Sequence, residues 1–154
     1  MEYQIELRDV QARTTAVVRR RASLGELARV VPDGCGEVWA FIRSSALPHP
    51  GRNLALYLDD AINLDVGVEV TQPFIGDDLI SCSSTPAGTV ATTQHVGSYA
   101  RLGEAHQAIR RWCADHGHVL AGPNWEVYGH WTDDPEKLQT DVYYLLQSLS
   151  NSAG

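Results

Sequence analysis

Hydrophobic and polar positions along the chain change period several times, and each change marks an element. Val66, Val68 and Val70 alternate with Gly67 and Glu69, and Val142, Tyr144 and Leu146 alternate with Tyr143 and Leu145. A period of two sends successive side chains to opposite faces, so both segments read as strands. Residues 3–10, 12–20, 53–58, 79–83, 88–95 and 124–128 complete the set of strand segments. A helical period replaces the alternation at Leu102, Ala105, His106, Ile109, Trp112 and Cys113. That stripe predicts an amphipathic helix capped by Ser98 and stopped by Gly117. In the first half, Ser23-Leu24-Gly25-Glu26 has the form of a capping box. Pro32-Asp33-Gly34 predicts a break after it, with a second helical segment over residues 33–45. Pro48-His49-Pro50-Gly51 then forms a turn.

The elements recur in order. Asn53-Leu54-Ala55-Leu56-Tyr57 resembles Asn124-Trp125-Glu126-Val127-Tyr128, Thr14–Arg19 resembles Thr89–Gln94, and Asp65–Val68 matches Asp141–Tyr144. The offsets drift between 71 and 76 residues, as loops of unequal length allow. Each half also carries a helix tryptophan, Trp39 or Trp112. Strand, helix, strand, strand in each half predicts an α+β protein of tandem duplicated βαββ units, the first about 1–76 and the second about 77–150. Antiparallel sheets with helices packed on one side follow, in a single domain over 1–154.

Charge narrows the partners. A net charge of −7 repels polyanions, and the only basic run, Arg19-Arg20-Arg21, reads as a solvated strand end. No direct nucleic-acid contact is expected, and the two repeats leave no stretch for a helix-turn-helix. No leader or bilayer-spanning run is legible, so the expectation is a cytoplasmic chain without membrane contact. Cys35, Cys82 and Cys113 form no CxxC pair, and the six histidines show no ligand spacing. No metal and no cofactor are expected.

The most informative residue is Glu126, a charge inside a strand that otherwise reads as buried. Alternation puts Tyr128, and His130 beyond it, on its face, and Trp125 and Val127 on the other. Its counterpart in the first half is Ala55, beside Tyr57, so one half places a carboxylate where the other places a methyl group. Tyrosines and tryptophans outnumber the two phenylalanines and suit pockets, because each carries a polar tip. Rings around one carboxylate make a site for a flat or lipophilic cation. The candidate ligand-binding residues are Glu126, Tyr128, Tyr57, Trp39, Trp125, Tyr143 and Trp131, the last at the mouth of an acidic loop.

Pro86-Ala87-Gly88-Thr89-Val90-Ala91, His95-Val96-Gly97-Ser98-Tyr99, Leu102, Trp112 and Gly122-Pro123-Asn124-Trp125-Glu126-Val127-Tyr128 together resemble the GyrI-like effector-binding family. That family includes the gyrase inhibitor and the ligand domains of multidrug-responsive MerR- and AraC-type regulators. Ser98 departs from its usual Gly-Pro-Tyr turn. The resemblance implies a ligand cleft between the halves and a strand glutamate at Glu126. It implies a stand-alone domain that captures lipophilic, cationic aromatic compounds as a sensor or by sequestration. One alternative is a hydrolase of strained electrophilic natural products, with Glu126 and Tyr128 as its catalytic pair. Another is a protein-interaction module of gyrase-inhibitor type, with a regulator or gyrase as partner.

Overall fold

The computed structural model describes residues 3–59, 63–130 and 132–148. Its elements run β1 (Glu6–Val10), β2 (Thr14–Arg21), α1 (Leu27–Ser45), β3 (Asn53–Tyr57), β4 (Asn63–Glu69), β5 (Ser81–Ser84), β6 (Gly88–Val96), α2 (Leu102–Asp115), β7 (Leu120–Tyr128) and β8 (Gln139–Leu146). Two compact units result: Ala12–Pro86, and Met1–Gln11 with Ala87–Gly154. In the first, strands are ordered β3-β4-β2-β5 with α1 packed on β4 and β2. In the second the order is β7-β8-β6-β1, with α2 packed on β6 and β8. The pairings within each unit are antiparallel, and the two units share one strand order and one helix position. The protein is α+β. The first strand of each half pairs away from its own half: β1 bonds to β6, and β5 to β2. Among the described residues, no helix is long and apolar enough to cross a membrane.

Within Ala12–Pro86, helix α1 corrects the expected break at Pro32-Asp33-Gly34, for it runs unbroken from Leu27 to Ser45 with Pro32 inside. Proline lacks the N–H that would reach the carbonyl of Ala28, but Ala28 is exposed and water can take that carbonyl. Gly34 makes no turn; it lets the helix backbone come down on the sheet. A Cβ at Gly34 would stand 3.0 Å from Val66 Cγ1 and 3.2 Å from Val18 Cγ2. The capping box at Ser23 and Glu26 forms, but it opens a short 3-10 turn (Leu24–Glu26) that leads into α1. The arginine run is also more constrained than a solvated end. Arg19 donates to both oxygens of the buried Asp65, at 2.5 and 3.3 Å, and Arg20 forks onto Glu37 of α1 at 2.6 Å. Strand β5 begins two residues later than expected, because Asp77 Oδ1 accepts from the N–H groups of Leu79 and Ile80 and holds them in a turn.

The second unit follows the pattern more closely. Ser98 Oγ accepts from the Ala100 N–H at 3.1 Å, starting a 3-10 turn that becomes α2, and Gly117 follows the helix end with φ 76°. Leu102, Ala105, Ile109 and Cys113 of α2 pack on Ala91 of β6 and on Val142, Tyr144 and Leu146 of β8. Trp112 is half-buried beside this core, with His116 and His118 stacked on its ring. His95 is fully buried, its ring nitrogens meeting the Tyr3 hydroxyl (2.8 Å) and the Ser98 carbonyl (2.9 Å). Register then fixes which side chains meet α2. Glu126 lies opposite Val142, Asn124 opposite Tyr144, and Tyr128 opposite Thr140, so these residues share the helix-covered face.

Candidate functional site

Beneath α2, a carboxylate has been taken out of water. Glu126 is 5% exposed, and an ionised group so deeply placed requires donors. Two are supplied. Tyr128, two residues on along β7 and therefore on the same face, donates its hydroxyl to Oε1 at 2.5 Å. His106 of α2 places Nε2 2.5 Å from Oε2. The other nitrogen of that ring, Nδ1, lies 2.7 Å from the Tyr144 hydroxyl of β8. Arg110, one helical turn after His106, donates to the same hydroxyl at 2.8 Å, and its guanidinium carbon sits 5.9 Å from the centre of the Tyr144 ring. The result is a continuous chain of polar groups from Arg110 through Tyr144, His106 and Glu126 to Tyr128.

Burial pushes the Tyr144 hydroxyl up to about 12, although Arg110 beside it acts in the opposite direction. Tyr144 therefore holds its proton across the working pH range and acts as a donor. Tyr99, at the start of the turn before α2, packs edge-on against the Tyr128 ring with centroids 5.7 Å apart and planes at 72°. It is partly exposed, and its own hydroxyl is also raised by burial. Aromatic faces at Tyr128 and Tyr99 suit a delocalised cation. Among the described residues, no cluster of three or more His, Cys, Asp or Glu side chains is placed to hold a metal ion.

Of the set anticipated from sequence, Glu126 and Tyr128 meet here within this unit. Trp125 and Tyr143 stack on each other, 5.2 Å apart and 16° from parallel, on the opposite strand face. Tyr143 there helps line a polar groove of about 640 Å³, together with Asp141, Gln94, Thr92, Arg8 and Glu6. Trp39 and Tyr57 belong to the other unit, Ala12–Pro86, where Trp39 Nε1 donates to Asn53 Oδ1 at 2.6 Å and Tyr57 is buried at the end of β3. Trp131 lies outside the described residues. The sequence reading missed the roles of His106, Arg110 and Tyr144. A signal existed: a histidine on an otherwise apolar helix stripe, with an arginine four residues later, needs a polar partner on the sheet.

The model of the GyrI-like small molecule binding domain matches residues 3–147. The chain belongs to the GyrI-like family. It is thus a small-molecule-binding domain, and solved members of the fold agree with its architecture. The EcmrR C-terminal domain superposes with a TM-score of 0.78 at 20% identity, covering 97% of this chain and 100% of that one. SAV2435 bound to tetraphenylphosphonium gives 0.65 at 15% identity, covering 97% and 96%. A hydrolase from Listeria innocua gives 0.63 at 13%, covering 94% and 92%. At such identities the likeness is one of fold. No curated protein matches the chain.

Proposed function

We propose that this GyrI-like domain captures lipophilic aromatic cations, as a sensor or by sequestration, with Glu126 as the counter-charge. The observation that carries the reading is a carboxylate buried to 5% exposure, held by Tyr128 and His106, with the Tyr128 ring packed edge-on against Tyr99. A carboxylate withdrawn from water attracts a cation more strongly than one in bulk solvent, because the surroundings screen the pair less. The ligand of the SAV2435 structure, tetraphenylphosphonium, is of this chemical class. The test is calorimetric titration with tetraphenylphosphonium and with the neutral triphenylphosphine oxide. Glu126→Gln should weaken the cation by roughly 1.5–3 kcal/mol, the range for a charge-assisted contact, and leave the neutral compound unaffected. Unchanged cation affinity in the variant would remove Glu126 from the site.

One observation favours a second reading, a hydrolase of strained electrophilic rings. A carboxylate acting as general base on water needs a group to orient it and an acid for the leaving atom. His106 on Oε2 and Tyr128 on Oε1 fill those two positions. In that reaction water would add across the opened ring, its proton passing through Glu126 and the ring's leaving atom taking one from Tyr128. Incubation with cyclopropane- and epoxide-bearing aromatics, followed by mass spectrometry, separates the readings. Turnover lost in Glu126→Gln supports the enzyme; binding without added water supports the binder.

A further inference from the structure

We propose that Thr140, whose buried hydroxyl has no partner among the described residues, is a specificity-determining residue of the Glu126 site and selects a ligand that offers it a hydrogen-bonding atom. Thr140 is 0% exposed, and its Oγ1 meets neither a donor nor an acceptor. The buried threonines of β6 are better served. Thr92 Oγ1 donates to the Val142 carbonyl at 2.7 Å, and Thr93 Oγ1 to the Gln4 carbonyl at 2.8 Å. A hydroxyl withdrawn from water without a partner is destabilising, whereas a valine of the same shape would not be. The ligand-free fold therefore gains nothing from this oxygen, and a bound state is where it can be used.

Register locates the orphan. On β8, Thr140 lies opposite Tyr128 of β7 on one side and opposite His95 of β6 on the other. Residues so paired have Cβ atoms about 4.5–5.5 Å apart and share a sheet face, here the helix-covered face that carries Glu126. Neither neighbour serves Thr140. Both His95 nitrogens are engaged, with the Tyr3 hydroxyl and the Ser98 carbonyl, and the Tyr128 hydroxyl donates to Glu126 Oε1. Tyr128 thus has Glu126 beside it along the strand and Thr140 beside it across the sheet. Tyr99, 42% exposed, meets the Tyr128 ring edge-on. A ligand ring that takes that place against Tyr128 comes to the Thr140 hydroxyl as well as to the carboxylate. A hydroxyl both donates and accepts, so an alcohol, ether or carbonyl oxygen on that ring engages it, and a plain hydrocarbon ring leaves it orphaned. The site so described takes an oxygen-bearing aromatic cation in preference to a purely hydrocarbon one. The charge of that ligand rests on the cation reading above; the oxygen does not.

The test compares (hydroxymethylphenyl)triphenylphosphonium with (ethylphenyl)triphenylphosphonium, each as its ortho, meta and para isomer, by calorimetry. The members of a pair differ by one oxygen at nearly constant size and charge. Water retains the alcohol more strongly whatever the protein, so the quantity read is the change in preference between wild type and Thr140→Val. For at least one isomer, Thr140→Val should cost the alcohol about fivefold relative to the ethyl compound, the scale of one neutral hydrogen bond. Thr140→Ser, which keeps the hydroxyl, should retain the wild-type preference. A preference that is the same in wild type and Thr140→Val for every isomer, or one lost equally in both variants, would overturn the proposal. A second measurement needs no ligand. Thr140→Val should raise the Tm of the free protein by a few degrees, because the orphan is removed and the shape kept. An unchanged or lower Tm would show the hydroxyl already satisfied, which also overturns the proposal. If Glu126→Gln leaves phosphonium affinity unchanged while the Thr140-dependent preference persists, the cation reading alone is sunk. Wild type that binds neither series would overturn both.

Discussion

Among single residues, burial governs reactivity as much as it governs the site. The Cys35 thiol is pushed up to about 11 by desolvation, and burial also raises Cys113, whereas Cys82 is exposed on β5. Thiolate is the reactive form, so a thiol reagent at neutral pH should label Cys82 quickly and the other two only as the protein unfolds. Mass spectrometry of the labelled chain reads this out; fast labelling of Cys35 would contradict its placement on the sheet-facing side of α1. The same shift has a pH consequence. A group whose pKa is raised on folding lends stability that is complete below its unfolded value, near 9 for a thiol, and is lost as pH rises through about 11. That rise corresponds to about 2–3 kcal/mol, so urea midpoints should fall between about pH 9 and 11, and less steeply in Cys35→Ala. Tyr144 adds to the slope in the same sense at higher pH. Sequence revealed Glu126, because a charge interrupting a buried alternation is visible in one dimension. It concealed His106, Arg110 and Tyr144, because their meeting depends on how α2 crosses the sheet.

At the scale of elements, glycine separates what periodicity can show from what it cannot. Gly67 reads as a gap in a regular alternation. In the structure a Cβ there would stand 1.9 Å from the Ala16 carbonyl oxygen, so β2 and β4 approach too closely for any side chain. Gly67→Ala should cost on the order of 3 kcal/mol or more, since the obstruction is backbone and cannot swing aside. Gly36, exposed on α1 with nothing within 4 Å of its missing Cβ, should behave oppositely. Gly36→Ala should stabilise by about 0.5–1 kcal/mol through helix propensity alone. Thermal and urea unfolding of both variants measure this, and two shifts of the same sign would refute the packing described for β2 and β4. The expected break at Pro32 failed for a related reason. Proline and glycine together usually punctuate, but here an exposed carbonyl tolerated the one and a close helix-to-sheet contact required the other. Strand segments were better indicated, because both faces of β4 and one face of β8 are filled by residues whose alternation survives any loop length.

For the molecule as a whole, the duplicated order of elements was legible, as was the α+β class, because each unit repeats a complete strand and helix pattern. The acidic balance leads to a further expectation. With a net charge of −7, the isolated chain should show no specific duplex-DNA complex in fluorescence anisotropy at physiological salt, and a submicromolar complex would refute this. Strand pairing was not legible. Nothing in the residues of β1 announces that its partner, β6, begins at Gly88, or that Glu6 will lie opposite Thr92. That pairing has a consequence for a chain made from its N-terminus onward. The unit Ala12–Pro86 is one uninterrupted stretch and has all its strands as soon as residue 86 has left the ribosome. Strand β1, made before that unit, finds its partner only after it. It must remain unpaired through the synthesis of the whole intervening unit, an exposed edge at the time when edges are most prone to stray pairing. Its sequence, Glu6-Leu7-Arg8-Asp9-Val10, carries a charge at three of five positions, which is the composition that keeps a waiting strand in solution.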